Sequence, residues 1–123
     1  SYVSSLNQCD YSFTHHWHNA EKLIDDIQLS NSVYRAIKKD NFEGLFEEKE
    51  LALLKYAKKL TLSIQNMEKN DVEKLRVIGI IDAEILEVNQ VVAYFNYSNR
   101  LLNGLGVSTS GDVVGFYSGS DEC

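Results

Sequence analysis

Apolar residues recur every three or four positions along most of this chain, the period of helices that pack one face against a core. Polar residues that favour helix starts, and lysines or glycines that favour helix ends, separate the periodic stretches. The pattern predicts five helices, which run from about Asp10 to Ile27, from a cap at Ser30 to Lys39, from Glu47 to Lys59, from a cap at Asn70 or Asp71 to Ile78, and from a cap at Asp82 through Asn103.

The last predicted helix has apolar residues on so much of its circumference that we expect it to be buried on more than one side. This wide face, in a chain with seven Tyr and five Phe, favours contact with another subunit. The alternative is that a single chain folds over the face unaided.

Proline usage and patterning together indicate the fold class. No segment shows sustained alternation of apolar and polar residues, and the chain has 0 Pro, where average usage would give about six. Because proline is excluded most strongly from helix interiors, we predict an all-α fold. The helical domain would span residues 1–107, and residues 108–123, rich in Gly and Ser, would form a loose C-terminal tail. Within that tail, residues 113–117 could lie extended along a neighbouring element.

Composition excludes several classes of protein. The 123 residues suit one domain, and 12 Lys and Arg against 18 Asp and Glu give a net charge of −6, which disfavours nucleic acid as a partner. The apolar runs are far shorter than the roughly 20 residues that cross a membrane, and no signal-peptide pattern is visible. A cytoplasmic protein without membrane contact is therefore the default expectation. Cys9 and Cys123 stand at opposite ends of the chain and make no disulfide framework.

Reactive side chains concentrate at the start of the first predicted helix. Ser12 and His16 stand four residues apart, and Cys9 stands seven residues before His16, so helical geometry brings all three toward one face. First-turn N–H groups and a protonated His16 would stabilise a thiolate at Cys9, whereas the neighbouring Asp10 would oppose it. We expect the three side chains to share one exposed lining. The spacing is also compatible with a buried, inert cysteine.

Other residues offer alternative roles. His15 and His18 are spaced to share a metal ion, but His16 points about 100° away from His15 and no carboxylate motif accompanies them, so no metal or cofactor is expected. Arg100 either makes a buried ion pair or faces a pocket and binds an anion. Tyr11, His15 and Arg100 are the expected substrate contacts, and Trp17 is expected in the core.

Three stretches carry a resemblance to a known superfamily, that of carboxymuconolactone decarboxylase and alkylhydroperoxidase D. Its active-site segment has an Asn, a variable residue and C-x-x-C, followed three residues later by His, and residues 4–16 are similar to that segment. Residues 50–61 and 91–107 resemble the peroxidase-related branch, and Gly115-Phe116-Tyr117 also fits it. The similarity covers nearly the whole chain.

The resemblance implies an all-helical fold that assembles into dimers, trimers or hexamers. In the peroxidase members, the second cysteine attacks the hydroperoxide and the first resolves the sulfenic acid as a disulfide. A histidine and an upstream glutamate relay protons, and a thiol reductant or a lipoyl group regenerates the pair. By this resemblance Cys9 matches the resolving cysteine, Ser12 the peroxidatic cysteine and His16 the relay histidine.

Two departures from the family pattern limit this transfer. A serine hydroxyl such as that of Ser12 cannot be oxidised along the cysteine ladder, so the two-cysteine cycle is unavailable between these positions. The family domain also has helical sequence before this segment, including the relay glutamate, which this chain does not contain. Either the sequence is truncated, or this is a shortened member of the family in which another subunit supplies the missing wall of the site.

Three functional hypotheses follow. The first is thiol-dependent reduction of hydroperoxides by Cys9 alone, with His16 as proton donor, Ser12 binding the peroxide, and an external thiol or lipoyl reductant. The second is a decarboxylase-like reaction on a carboxylate substrate, with His16 as general acid/base and Arg100 holding the carboxylate. The third is a non-catalytic oligomeric relative.

Overall fold

Six α-helices make up the fold in the computed structural model, which describes residues 1–115. No strand occurs within that range, so the predicted all-α class is confirmed. One 3₁₀ turn at Ile64–Asn66 follows the fourth helix. The helices are α1 (Tyr2–Leu6), α2 (Asp10–Ile24), α3 (Ile27–Lys39), α4 (Glu48–Leu62), α5 (Lys69–Val77) and α6 (Asp82–Gly104).

The boundary between α2 and α3 differs from the prediction. Helix α2 ends at Ile24 because Asp25 adopts a left-handed conformation, with φ of 48°. Asp26 then caps α3, since its carboxylate accepts hydrogen bonds from the N–H groups of Gln28 and Leu29, each at 3.0 Å. The predicted cap at Ser30 is wrong: this residue lies buried inside α3.

Helix α1 is absent from the predicted set. It has five residues, which is too short for an apolar period to be read. Gln8 turns the chain with a φ of 51°, and the Cys9 N–H returns to the Ser4 carbonyl at 2.9 Å. Helix α1 thereby folds back against the start of α2 and also contacts α4 and α6.

The core consists of three clusters of buried side chains. Helices α2 and α3 close over an aromatic cluster that includes Trp17, as expected. Helices α4, α5 and α6 meet in a second cluster, and α1 contributes to a third. The buried members are Phe13, Trp17, Ala36, Ile37 and Phe42 in the first, Tyr56, Leu75, Ile80 and Ile85 in the second, and Val3, Ala57 and Val92 in the third.

Among residues 1–115, helix α6 buries only one of its sides. Ile85, Val92 and Asn99 face inward, whereas much of the opposite side is apolar and exposed. Residues 1–115 therefore do not cover the whole apolar face of α6 unaided, and its burial by another subunit stays a prediction. We call this exposed side the open α6 face; its members are Leu86, Val91, Tyr94, Tyr97, Leu101 and Leu105.

The chain segment after α6 returns to α2. Gly115 is buried there, and an added Cβ would meet His18 Cδ2 at 2.2 Å, so only glycine permits this close approach. The Phe116 and Tyr117 positions of the resemblance, and Cys123, lie outside the described residues. Within residues 1–115, no helix is both long and apolar enough to span a membrane.

Candidate functional site

Cys9 is the N-cap residue of α2 and is completely buried, with 0% of its surface exposed. Its N–H donates to the Ser4 carbonyl at 2.9 Å, and its own carbonyl accepts from the Phe13 N–H at 2.9 Å. The thiol makes no capping hydrogen bond to α2. The backbone around Cys9 is therefore fixed on both sides, and α1 covers the helix start.

Ser12 lies one turn further along α2 and is 3% exposed. Its Oγ lies 2.8 Å from the Oγ of Ser4, and either hydroxyl could donate. The Asn99 side-chain amide donates to the same Ser4 Oγ at 3.2 Å. The Ser12 hydroxyl is thus held by α1, and the Ser4 hydroxyl is held in turn by α6.

A hydrogen-bonded cluster extends from this point across α1 and α6. The Asn7 amide donates to Asn96 Oδ1 at 3.0 Å and to Asn99 Oδ1 at 3.1 Å. We call this cluster the polar interface, and it consists of Ser4, Asn7, Ser12, Asn96 and Asn99. Its members satisfy one another, which is what buried polar groups require.

Part of the polar interface has a local signal in the sequence. Asn96 and Asn99 share one side of the last predicted helix, which signals a polar surface within an apolar stretch. Their partners on α1 carry no such signal, because a five-residue helix has no period. The Asn103 amide, which donates to the Asn7 carbonyl at 3.1 Å, adds a further link between α6 and the end of α1.

His16 is half-buried and packs edge-on against Phe95 of α6, with ring centroids 4.7 Å apart. Burial lowers the pKa of His16 below its ordinary value of 6.5, so the imidazole is neutral at pH 7. Phe95 also lines an apolar cavity of about 400 Å³ beside Val3, Leu54 and Val88. The imidazole is therefore next to a side chain that borders a space of ligand size.

The structure places Cys9, Ser12 and His16 on one helix but does not join them. No side-chain hydrogen bond within residues 1–115 links any two of the three. Seven residues of α-helix separate the first and last by about 10 Å along the axis. The expected exposed lining is not formed in this chain, because Cys9 and Ser12 are closed in by α1 and α6. Five cavities of the described surface lie elsewhere, and none of these five is lined by the three residues.

His15 is covered by the segment that follows α6. It is 3% exposed, and its Nδ1 accepts a hydrogen bond from the Gly115 N–H at 3.0 Å. Its Nε2 has no hydrogen-bond partner and lies 3.7 Å from the nearest carboxylate oxygen of Asp112. The Tyr11 ring packs 4.7 Å from the imidazole. Tyr11 and His15, two expected substrate contacts, thus lie under or beside the protein's own chain.

Arg100 is exposed, so the expectation that it makes a buried ion pair is wrong. Its guanidinium donates to the Asn96 carbonyl at 3.2 Å and to Asn96 Oδ1 at 2.8 Å. Arg100 stands five positions after Phe95, or about 140° around α6, so it projects away from the side that contacts His16. It lines a different cavity, beside Leu60 and Tyr97.

The histidine spacing does not assemble a metal site among residues 1–115, since no group of three or more His, Cys, Asp or Glu side chains lies close enough to share an ion. His18 instead faces Glu21, with 3.4 Å between Nδ1 and the nearer carboxylate oxygen.

No family model and no curated protein matches the sequence. Among solved structures, the chain is similar to the crystal structure of an uncharacterized peroxidase-related protein from Silicibacter sp. TM1040, with a TM-score of 0.75 and 26% sequence identity. The match covers 87% of this chain and 54% of that one, so the chain spans about half the length of that protein. The all-helical fold of this chain is therefore similar to about half of that peroxidase-related protein.

Proposed function

We propose that this protein reduces hydroperoxides with the thiol of Cys9, with His16 as the proton donor. The observation that supports the proposal is the position of Cys9 at the amino end of α2 in a fold similar to that of a peroxidase-related protein. First-turn N–H groups stabilise a thiolate at such a position. The neutral His16 on the same helix supplies a group that accepts and returns a proton near pH 7.

The reaction has two balanced stages. Because His16 lies about 10 Å from Cys9 along the helix axis, water admitted when the site opens relays protons between the thiol and the neutral imidazole. The thiol proton passes to His16 in this way, and the thiolate sulfur then attacks one peroxide oxygen. The S–O bond forms as the O–O bond breaks, and the alkoxide that leaves takes the proton back from His16. The products are a sulfenic acid at Cys9 and an alcohol. An external thiol or dihydrolipoyl group then displaces water from the sulfenic acid, and a second thiol reduces the resulting mixed disulfide.

Access to the thiol requires local opening. Cys9 is sealed by α1, which has only five residues and two buried side chains, Val3 and Ser4, and elements with few buried contacts open at lower free-energy cost than the core. We therefore infer that the reactive state is one in which α1 separates from the start of α2. Ser12, released from Ser4 in that state, would be free to hydrogen-bond the peroxide.

Turnover of cumene hydroperoxide with glutathione or dihydrolipoamide tests this proposal. The parent for the assay is the full chain carrying Cys123→Ser, in which Cys9 is the sole thiol. We expect Cys9→Ser to abolish turnover and His16→Gln to reduce it about 100-fold through loss of proton transfer. His18→Gln is the matched control, because His18 is on the same helix but faces Glu21, and it should retain the parent rate.

A second candidate is a non-catalytic relative, and the complete burial of Cys9 favours it. In this candidate the polar interface is purely structural, with Ser12 kept for its bond to Ser4. The parent would then show no turnover with either reductant. A decarboxylase-like reaction with His16 stays a hypothesis; the side of α6 on which Arg100 stands gives it no support.

Homo-oligomerisation also belongs to the proposal, because the open α6 face leaves large apolar side chains in water. We expect a second copy to cover it. Sedimentation of the protein with Leu101→Glu, compared with the parent, tests this contact, and an unchanged sedimentation coefficient would count against it.

A further inference from the structure

The groove between α4 and α5 lies apart from the residues discussed so far. It encloses about 620 Å³, within the usual range for small-molecule sites. The two helices run antiparallel, since Lys59 near the end of α4 pairs with Asp71 near the start of α5 at 2.8 Å. Near the opposite end, the Lys49 ammonium donates to the Gly79 carbonyl at 3.4 Å.

The floor of the groove is apolar and closed. Tyr56 and Leu75 are buried in the second core cluster beneath it, and Leu51, Ala52 and Ile78 complete the lining. The Tyr56 hydroxyl accepts a hydrogen bond from the Asn89 amide of α6 at 2.8 Å. The polar end of Tyr56 is thus satisfied by α6, while hydrocarbon side chains provide the rest of the floor.

The walls of the groove carry two lysines without an ion-pair partner. Lys59 is bound by both carboxylate oxygens of Asp71, each at 2.8 Å. Lys55 stands one turn before Lys59 on α4, and Lys74 stands about one turn after Asp71 on α5. Because the helices are antiparallel, Lys55 and Lys74 reach the same level from opposite sides. Neither has a carboxylate within ion-pair distance among residues 1–115, although Lys74 is near enough to Asp71 to contribute to the lowered pKa of that carboxyl, which is mainly due to Lys59.

Two like charges that face a shared space are best accommodated by an anion between them. The remaining carboxylate of the lining, Glu48, stands two turns before Lys55, near the Lys49 end. The apolar floor beside the two ammonium groups suits a hydrocarbon chain attached to that anion. Helix α5, with nine residues, spans about 13 Å, which favours a chain of medium length.

We propose that the α4–α5 groove binds a single-chain amphiphile with an anionic head group, such as a medium-chain fatty carboxylate. The head group lies between the ammonium groups of Lys55 and Lys74, and the alkyl chain lies along Leu51, Leu75 and Ile78. This inference does not depend on the chemistry of Cys9. A carboxylate and a phosphate head group share the required chemistry.

Calorimetric titration of the full chain with decanoate and decyl phosphate, below their micelle concentrations, tests the proposal. We expect saturable 1:1 binding of at least one anion, and the tighter of the two identifies the head group. Decanol and decyltrimethylammonium have the same chain without the negative charge and should bind at least about tenfold more weakly. Equal affinity for decanol, or no saturation by either anion, would overturn the proposal.

Charge-reversal variants locate the site. The pair Lys55→Glu and Lys74→Glu should weaken anion binding at least about tenfold. The control pair Lys22→Glu and Lys39→Glu makes the same change in net charge at exposed positions of α2 and α3, outside the groove, and should retain the affinity of the parent. An equal loss in both pairs would show that binding follows overall charge, and would also overturn the proposal. Circular dichroism confirms that each variant keeps its helices.

Discussion

The polar interface and the α4–α5 groove hold their polar side chains in opposite ways. In the polar interface, Asn99 is 0% exposed, and its amide oxygen and nitrogen are both bonded within the cluster. In the groove, Lys55 and Lys74 make no ion pair among residues 1–115 and line an open cavity. The first region is closed and satisfied, whereas the second is open and has unpaired charge.

This difference shows what each region contributes. Satisfied, buried hydrogen bonds fix the position of α1 against α2 and α6, and their loss costs folding free energy. Unpaired charges at the edge of an apolar cavity add little to stability and leave capacity for a ligand. Cys9 belongs to the closed region, so its proposed chemistry depends on how often that region opens.

The largest expected effect is a difference in the free energy of unfolding between a substitution in the polar interface and one in the groove. Asn99→Ala removes hydrogen bonds to Ser4 and Asn7 and leaves their polar groups buried, so we expect the free energy of unfolding to fall by about 3 kcal/mol. Lys55→Ala in the groove should change it by no more than about 0.5 kcal/mol, toward greater stability, because one of two like charges is removed. Urea unfolding of both variants measures the contrast, and similar values would remove the distinction between the regions.

A second substitution restores chemistry to the closed region. Ser12→Cys places a second thiol one turn after Cys9, so the sulfenic acid is resolved within the chain rather than by a collision. We expect hydroperoxide turnover with a dithiol reductant to rise at least about tenfold. Thr14→Cys is the control, because position 14 lies about 140° around α2 from Cys9 and should give no gain. Equal rates in both variants would contradict the assigned geometry.

The smallest effect concerns pH. Burial lowers the pKa of His16 from 6.5, so below that pH the unfolded chain binds more protons than the folded chain, and stability falls as pH drops through the lowered pKa. Above pH 6.5 both states are neutral and His16 contributes no slope. His16→Phe should therefore reduce the loss of stability between pH 7 and about pH 5.5, compared with His18→Phe. Urea unfolding at both pH values measures it, and equal losses in the two variants would contradict the role given to burial.

The helices were predictable where the sequence carries a long apolar period or a charge order. The start of α4 follows from such a local signal, as do the start of α2 and most of α6. The end of α2 was placed three residues late, because Ile27 continues the apolar spacing even though Asp25 and Asp26 end one helix and cap the next. The pattern of apolar residues does not indicate the left-handed conformation of Asp25.

The candidate site was only partly predictable, because its decisive features are contacts between distant segments. The placement of Cys9, Ser12 and His16 on one helix is a local feature and could be predicted from their spacing. The burial of Cys9 depends on α1, and the position of Ser12 depends on Ser4, which lies 8 residues earlier. Ser4 is held in turn by Asn99, which lies 95 residues after it. The lysine pair of the groove appears only once α4 and α5 are known to be antiparallel.

Trapping of the oxidised thiol tests the central claim most directly. The full chain with Cys123→Ser is treated with one equivalent of cumene hydroperoxide in the presence of dimedone, and peptide mass spectrometry measures the adduct at Cys9. We predict that Cys9 is converted to the adduct. Without urea, the rate of conversion should be limited by the rate at which α1 opens, and dilute urea, which loosens α1, should increase that rate. A folded protein in which Cys9 stays unmodified under excess hydroperoxide, with or without dilute urea, would contradict the account.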